Sequence, residues 1–364
     1  MASSFMRFTM TLVVSAAAAG ASALTVSVNP GGLRAAVADP ASVTELTVSG
    51  SVDMTDFEFI TMEMTALRTL DLGGATVAAY SGEPGVTGRT SSAAGELPEG
   101  ALMVASLESV TLPASLTAIG SGAFGSSSLR AISLPESLKS IGTGAFAECG
   151  SLREVTVPAS VTSLGQKVFA GCVSLETVTV SGPVGEVPAG AFRGCGALRS
   201  VSLPASVGAI GEDAFAGCAS LEALAFPAGL RTIGSRAFFG SGLRSADLAS
   251  CPVLEGVGNW AFACSSALES VTFPQSMTHM GTGAFFNDAA MLLDAAPQGV
   301  AEIADYSLRG VGGASAVTLP EGVTSIGRHA LANWTGVQTL ALPCPLERVD
   351  GGALAKSAAL REVG

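Results

Sequence analysis

Apolar and polar positions recur along this chain at a nearly fixed interval. From residue 107 onward, ten of the eleven intervals between successive copies are 22 or 23 residues and one is 25, and the copies begin at residues 107, 129, 152, 175, 198, 221, 243, 268, 291, 314, 337 and 360. A period of this length is typical of a solenoid, in which each repeat forms one coil and buries its apolar face only against its neighbours. The pattern therefore predicts one elongated domain rather than two or three ordinary ones.

The first part of each copy predicts a β-strand. In the copy that begins at Leu198, the apolar residues Val201 and Leu203 alternate with polar ones, as expected for a strand with one buried face. Proline then ends the strand because it has no N–H to donate to a neighbouring strand. It occupies the same position in eight copies, as Pro113, Pro135, Pro158, Pro204, Pro227, Pro274, Pro320 and Pro343.

The rest of each copy predicts a turn and an aromatic residue in the core. A glycine is expected to allow a backbone turn that other residues resist, and a small residue and phenylalanine follow it. We interpret this segment as one helical turn whose ring fills the interior of the coil, stable only between stacked neighbours. The rings are Phe124, Phe146, Phe169, Phe192, Phe215, Phe238, Phe262 and Phe285, and Leu308, Leu331 and Leu354 take their place in the last full copies.

The N-terminal part of the chain matches the repeat weakly. Residues 43–48 and 67–72 share its apolar spacing, and residues 53–64 between them have the length of a helix. We interpret residues 24–106 as an N-terminal α/β cap with the first irregular repeats, because a terminal repeat must close the core. Residues 75–95, rich in Gly, Ser, Ala and Thr, are expected to form an exposed loop on this region.

The repeat resembles a known family. Residues 198–218 match, almost letter for letter, the pattern L-x-x-V-x-L-P-x-S-V-x-x-I-G-x-x-A-F-x-x-C of the BspA-like, or treponemal-type, class of bacterial leucine-rich repeats. The resemblance is strong over residues 97–364, and we assign residues 107–364 to these repeats, the last one incomplete. It implies a right-handed leucine-rich-repeat solenoid with a parallel β-sheet on one side and short helical turns on the other. It also implies a secreted or surface protein, often linked to adhesion, with no catalytic residues to carry over.

Residues 1–23 are expected to be a signal peptide. Arg7 gives a positive start, residues 8–20 are apolar but too short to span a membrane, and residues 21–23 form an A-x-A cleavage site. No later segment is apolar for 18 residues, so we expect no transmembrane span. The predicted location is extracellular or at the cell surface, with the periplasm as the alternative.

The net charge of −12 and the seven cysteines narrow the choice of partners and chemistry. The negative charge argues against nucleic acid and anionic membranes as partners. Four cysteines recur every 23 residues and should stack in the core as small apolar side chains, with disulfide or metal chemistry as the alternative. They are Cys149, Cys172, Cys195 and Cys218.

Few residues suggest a reaction. Gly120–Gly125 matches G-x-G-x-x-G, but its position recurs in other copies as a turn, so a dinucleotide loop is disfavoured. His279 and His329 occupy different repeat positions two coils apart. Asp294 is the one polar residue at a core-facing strand position, either a buried acid or, as we favour, one turned outward by a register slip. We therefore expect no enzyme, no catalytic residue, no metal and no cofactor.

The exposed face of the predicted sheet carries the functional interpretation. Its second position reads Glu108, Arg130, Arg153, Glu176, Arg199, Glu222, Arg244 and Glu269, which places opposite charges on neighbouring strands. Its fifth position reads Thr111, Ser133, Thr156, Thr179, Ser202, Ala225, Asp247 and Thr272, a face without aromatic rings, while Trp260 and Trp334 lie near the helical-turn side. We predict an exported interaction or adhesion protein that binds a protein or other macromolecule at the cell surface.

Two alternatives remain open at this point. A glycan-binding accessory protein would require clustered exposed aromatic residues, of which the repeats show few. An enzyme with its site in residues 24–106 is poorly supported, since that stretch has no His and no Cys. At the other end, residues 337–364 present four apolar positions without a polar end coil, so we expect this end to fray or to self-associate. They are Leu340, Leu342, Leu354 and Leu360.

Overall fold

The chain coils into a solenoid of short parallel strands, and the predicted leucine-rich-repeat architecture is confirmed. The structure is a computed structural model and describes residues 22–84, 89–293, 296–343 and 346–364. The predicted signal peptide lies outside the described residues except for Ser22 and Ala23, which begin the first strand. Asp294 also lies outside them.

The regular elements are many and short. The helices are α1 Leu33–Ala36 and α2 Met54–Glu63, with 3-10 helices at Pro40–Ser42 and Leu248–Ser250. The strands, in chain order, are β1 Ser22–Val28, β2 Val43–Val52, β3 Thr69–Val77, β4 Tyr80–Ser81, β5 Ser91–Ser92, β6 Glu96–Leu97, β7 Ser109–Thr111, β8 Ala118–Ile119, β9 Ser140–Ile141, β10 Glu154–Val157, β11 Ser163–Leu164, β12 Thr177–Val180, β13 Glu186–Val187, β14 Ser200–Ser202, β15 Ala209–Ile210, β16 Thr232–Ile233, β17 Ser245–Asp247, β18 Gly256–Val257, β19 Ser270–Thr272, β20 His279–Met280, β21 Glu302–Ile303, β22 Ala316–Thr318, β23 Ser325–Ile326, β24 Thr339–Ala341, β25 Arg348–Val349 and β26 Glu362–Val363.

Two rows of parallel strands run along the solenoid, where the sequence predicts one. The long-strand face consists of the sheets β1-β2-β3-β7, β10-β12-β14, β17-β19 and β22-β24-β26. The short-strand face, which the sequence did not predict, consists of β6-β8-β9-β11, β13-β15-β16-β18-β20 and β21-β23-β25. Strands of two residues are too short to show the alternation from which strands are recognised in a sequence.

The glycine that follows each short strand has a different role from the one predicted. Gly142 and Gly211 do not adopt a positive φ, so backbone conformation does not require glycine there. Instead, a Cβ on Gly211 would lie 2.6 Å from the backbone nitrogen of Ala189, and a Cβ on Gly142 would lie 2.6 Å from that of Ser121. Glycine is needed because the backbones of neighbouring coils approach closely at this position.

The segment predicted as one helical turn is a series of tight turns, which we call the turn face. The N–H of Ala147 donates to a carbonyl three residues back at 2.9 Å, whereas the N–H of Phe146 donates to Val168 of the next coil at 2.9 Å. Alternate N–H groups therefore join the coils, and a helix would have directed all of them along its own chain. The rings lie buried as predicted, and those of Phe124 to Phe285 stack with centroids 5.0–5.7 Å apart.

The N-terminal cap contains the predicted helix, as α2. Asp53 caps it by accepting from Thr55 at 2.9 Å, and Asp56 accepts from the backbone N–H of Asp53 at 2.9 Å. The buried Asp56 carboxyl also accepts from the N–H groups of Gly31 and Leu33, both at 2.8 Å. One side chain thus satisfies N–H groups at the starts of both helices and fixes how the cap folds.

The predicted loop 75–95 begins later than expected. Strand β3 continues to Val77, and both Ala75 and Val77 are buried, because this strand pairs with β2 as far as Val52, with one register shift after Asp71. Beyond it, β4 and β5 pair as a short antiparallel hairpin. Arg89, between these two strands, makes an ion pair with Glu99 at 2.9 Å, which joins the hairpin to the segment that follows β6.

Candidate functional site

The long-strand face is interrupted along the described part of the chain, and we name each coil by the first residue of its copy. Coils 129 and 221 contribute no strand to this face, so the row ends at β7 and at β14 and resumes at β10 and at β17. The row also ends at β19 and resumes at β22, and residues 294 and 295 of the coil between them lie outside the described residues. The turn face stays joined across coil 129, since Phe124 donates to Ala145 at 2.8 Å. Neighbouring coils therefore separate only on the long-strand side.

At coil 129 the separation leaves backbone groups without partners. Within the described residues 89–293, no backbone hydrogen bond joins residues 131–134 to either neighbouring coil. The apolar side chains Ile132 and Leu134 are each 9% exposed, compared with 3% for Val155 and 0% for Val157 in the next coil. Backbone N–H and C=O groups that face a cleft are the groups that a bound extended chain can pair with.

Two cavities flank these residues, and we call them together the coil-129 groove. One, of about 460 Å³, lies towards β7 and is lined by Ser109 and Thr111. The other, of about 370 Å³, lies towards β10 and is lined by Thr156, Glu136 and Glu154. Both volumes are in the range of ordinary ligand pockets. Neither glutamate makes an ion pair with another described residue. Arg130 and Arg153 line the adjoining cavity with Glu154 but are paired with other glutamates, so the unpaired charge at the groove is negative.

The charged row beside the groove pairs in part as the sequence predicts, since Arg199 makes no ion pair with another described residue. Arg130 contacts Glu108 at 2.9 Å, and Arg153 contacts Glu176 at 3.0 Å. Farther along, Arg244 contacts a glutamate on each side, at 3.4 and 3.2 Å. Because these pairs are exposed, each contributes only ~0–1 kcal/mol, and their main effect is to fix which strand lies beside which.

The four stacked cysteines are buried free thiols, and they donate hydrogen bonds. The Sγ of Cys172 lies 3.0 Å from the carbonyl oxygen of Phe146 in the preceding coil, and the other three do the same at 3.1–3.2 Å. Ser265 and Trp334 occupy the same position and donate to the equivalent carbonyl at 2.9 and 2.7 Å. We call this repeat position, three residues after the core Phe or Leu, the donor column. Its side chains donate hydrogen bonds as well as filling the space, which the interpretation as small apolar side chains misses.

Burial makes Cys195 and Cys218 weak acids, whereas a hydrogen bond with Cys172 lowers the pKa of Cys149. Burial raises the pKa of Cys195 to about 12 and that of Cys218 well above its usual value. A thiol that stays protonated keeps its hydrogen to donate and is a poor nucleophile. The arrangement thus favours a structural role for the column.

Asp288 is a buried acid that was not predicted from the sequence. It lies in the donor column, has 0% exposure and accepts from the backbone N–H of Ser265 at 2.8 Å, while its Oδ2 has no partner. Burial raises its pKa to about 9. It could have been found by extending the cysteine column beyond Cys218, which gives Ser241, Ser265 and then Asp288.

The remaining sequence candidates do not come together. His279 lies exposed in β20, whereas His329 lies on the turn face with its Nδ1 3.1 Å from the carbonyl oxygen of Gly352. Gly120–Gly125 forms one of the repeated turns of the turn face. Within the described part of the chain, no three His, Cys, Asp or Glu side chains converge on a point where a metal ion could bind. No described helix has the length and apolar content to cross a bilayer.

Aromatic and arginine side chains gather on the turn face of the later coils. Trp260 packs edge-to-face on Phe286 with centroids 5.2 Å apart, and the guanidinium of Arg309 lies 5.2 Å from the Phe286 centroid and 5.8 Å from that of Tyr306. Tyr306 in turn lies 5.5 Å from the ring of His329. We call these five residues, with the exposed Arg328, the aromatic–arginine cluster.

The expectation of few clustered aromatic residues therefore holds for the long-strand face but is wrong for the turn face. Trp260, Tyr306 and His329 occupy one repeat position, two residues before the core Phe or Leu, and all three have a positive φ. Phe286 and Arg309 occupy the position directly after it. Aligning the copies at these two positions is the signal by which the sequence could have revealed the cluster.

Comparisons with known proteins identify the type of repeat. The model of the BspA type leucine rich repeat region matches in six copies over residues 96–207, 185–295 and 293–363. A leucine-rich repeat protein from Bacteroides ovatus has 21% identity and a TM-score of 0.66, with 99% of this chain and 88% of that one covered. A leucine rich cell surface protein from Faecalibacterium prausnitzii has 24% identity and a TM-score of 0.48, with 81% and 87% covered. No curated protein matches the sequence.

Proposed function

The chain belongs to the family of BspA-type leucine-rich repeat proteins, and from this premise we propose that it is an exported protein that binds another protein at the cell surface. Proteins of this architecture offer long surfaces on which a partner can lie. The signal-like sequence of residues 1–23 supports export. Cell fractionation with and without these residues tests this part of the proposal, and equal retention inside the cell would contradict it.

The observation that carries the binding proposal is the coil-129 groove. Residues 131–134 leave backbone donors and acceptors unpaired within the described residues, and a partner segment in extended conformation can pair with them. The unpaired carboxylates of Glu136 and Glu154 favour a segment with lysine or arginine. The partner is therefore a protein with an exposed, basic, extended segment.

Binding of designed peptides tests the proposal. Fluorescence polarisation should show that decapeptides alternating lysine with small residues bind the mature chain. The same peptides N-methylated at alternate residues should bind weakly, because they lose half of their donors. The Glu136→Lys, Glu154→Lys double variant should lose binding, while Glu186→Lys, an exposed glutamate on the short-strand face, should retain it. Equal binding of plain and N-methylated peptides would refute pairing through the backbone.

Self-association is a further part of the proposal. Strand β26 pairs with β24 on one side only among the described residues, and Val349 and Val363 nearby are 52% and 46% exposed. An unpaired parallel edge with exposed apolar side chains can pair with a second copy. Sedimentation velocity should show concentration-dependent association that Val363→Lys abolishes, and a monomer at all concentrations would contradict it.

A further inference from the structure

The aromatic–arginine cluster is not required by the packing of the repeat. Coil 221, directly before the cluster, carries Arg236 and Phe239 at the same two positions, with the guanidinium 5.1 Å from the ring centroid. The five coils that begin at residues 107 to 198 fold with the same backbone and carry small or charged residues there. At the first position these are Gly122, Gly144, Lys167, Gly190 and Asp213, and at the second Gly125, Ala147, Ala170, Arg193 and Ala216. Half-buried rings in successive coils therefore add an apolar surface to a turn face that is stable without them.

The cluster also carries positive charge on a chain with a net charge of −12. Arg309 and Arg328 make no ion pair with any described residue, whereas Arg153 and Arg244 on the long-strand face are paired. A neighbouring acid, Asp305, accepts from the backbone N–H of Arg328 at 2.6 Å. Two guanidinium groups thus remain available to an anion.

The neighbouring rings hold one of these cations in place. The Arg309 guanidinium lies over Phe286 and Tyr306, and its Nε is shielded from solvent without a hydrogen-bond partner. Its terminal N–H groups remain to bind a ligand, and the planar fork is suited to a carboxylate. Because the side chain is already ordered, binding loses less conformational entropy.

We propose that the aromatic–arginine cluster binds an acidic carbohydrate, a polysaccharide whose sugars carry carboxylates. The rings of Trp260, Tyr306 and His329 contact the apolar faces of the sugars, and Arg309 and Arg328 bind the carboxylates. The cluster spans four successive coils, so the sugar chain runs along the axis of the solenoid. This site lies on a different face from the coil-129 groove and does not depend on the function proposed for that groove.

Binding of polygalacturonate to the mature chain at physiological salt is the test. Isothermal titration calorimetry should show binding to polygalacturonate, with dextran and polyglutamate much weaker. Dextran lacks the carboxylates and polyglutamate lacks the sugar rings, so both halves of the cluster are tested. Equal binding of polyglutamate would overturn the proposal in favour of an acidic protein, and equal binding of dextran would overturn the role of the arginines.

Matched variants locate the site. Arg309→Gln should weaken polygalacturonate binding ~10-fold, the loss expected for one charged hydrogen-bonding group. Arg193→Gln changes the exposed arginine at the same repeat position, where no rings are present, and should leave binding unchanged. Trp260→Ala should weaken binding, with thermal melts confirming that each variant folds. Equal losses for Arg193→Gln and Arg309→Gln, or no binding at all, would overturn the proposal. The groove variant Glu136→Lys, Glu154→Lys should bind polygalacturonate no more weakly than the wild type.

Discussion

Replacing Asp288 by serine should remove a large pH dependence of stability. In the folded chain the pKa of this buried carboxyl is about 9, whereas its ordinary value is 3.8. Below pH ~4 the group is protonated in both states, and above that pH only the folded state retains its proton. The free energy of unfolding therefore falls as the pH rises, by ~1.4 kcal/mol per unit, until the pH passes the folded pKa.

The size of the effect follows from that interval. Between pH 5 and pH 8, three pH units correspond to a loss of ~4 kcal/mol in the region around Asp288. Serine occupies the same position at Ser241 and Ser265, where it donates a hydrogen bond without titrating. Asp288→Ser should therefore be stable to a similar degree at both pH values, and more stable than the wild type at pH 8.

Urea unfolding followed by tryptophan fluorescence measures this directly, because Trp260 lies in the coil before Asp288 and Trp334 lies two coils after it. The midpoint for the wild type should fall markedly between pH 5 and pH 8, and that of Asp288→Ser should stay nearly constant. Asp247→Asn, which changes an exposed carboxyl, should keep the wild-type behaviour. If Asp288→Ser showed the same decline as the wild type, the carboxyl would not be the titrating group and the reasoning would fail.

Three further outcomes follow from the packing. Thiol labelling of Cys195 should be slow without denaturant, because burial raises its pKa to about 12; rapid labelling of the native chain would contradict this. Phe192→Ala should cost ~3–5 kcal/mol and Thr179→Ala less than ~0.5 kcal/mol in denaturant melts, and equal losses would mean that the inner and outer faces are misassigned. Gly211→Ala should destabilise by ~1–3 kcal/mol through its collision with the preceding coil, whereas Gly196→Ala, with open space around it, should be neutral or stabilising.

The period of the sequence was sufficient to predict the long strands and the buried rings. Each apolar position recurs in every coil, so Val178 or Phe192 is supported by its equivalents in the other copies. The reason for Gly211 could not be read in the same way. Glycine is required there because the backbone of Ala189, in another coil, lies too close to leave room for a Cβ, and that distance depends on how closely the coils stack.

The candidate site was still less predictable. The sequence of coil 129, with Ile132 and Leu134 followed by Pro135, follows the repeat as well as its neighbours do. Nothing in it marks the loss of strand pairing, which arises from the way adjacent coils diverge on one side. The aromatic–arginine cluster differs, because its residues depart from the repeat at positions that alignment of the copies exposes.

The stacked rings and the interrupted long-strand face give this solenoid uneven mechanics. The core rings from Phe124 to Phe285 form an unbroken column, and the turns around them are tied from coil to coil, so this side resists stretching. On the other side, groups of two to four paired strands meet at coils 129 and 221, where residues 131–134 and 223–226 make no backbone hydrogen bond to a neighbouring coil among the described residues. A pull on a tethered molecule should therefore bend it first at these two coils. Tension would widen the coil-129 groove before it broke a single strand pair.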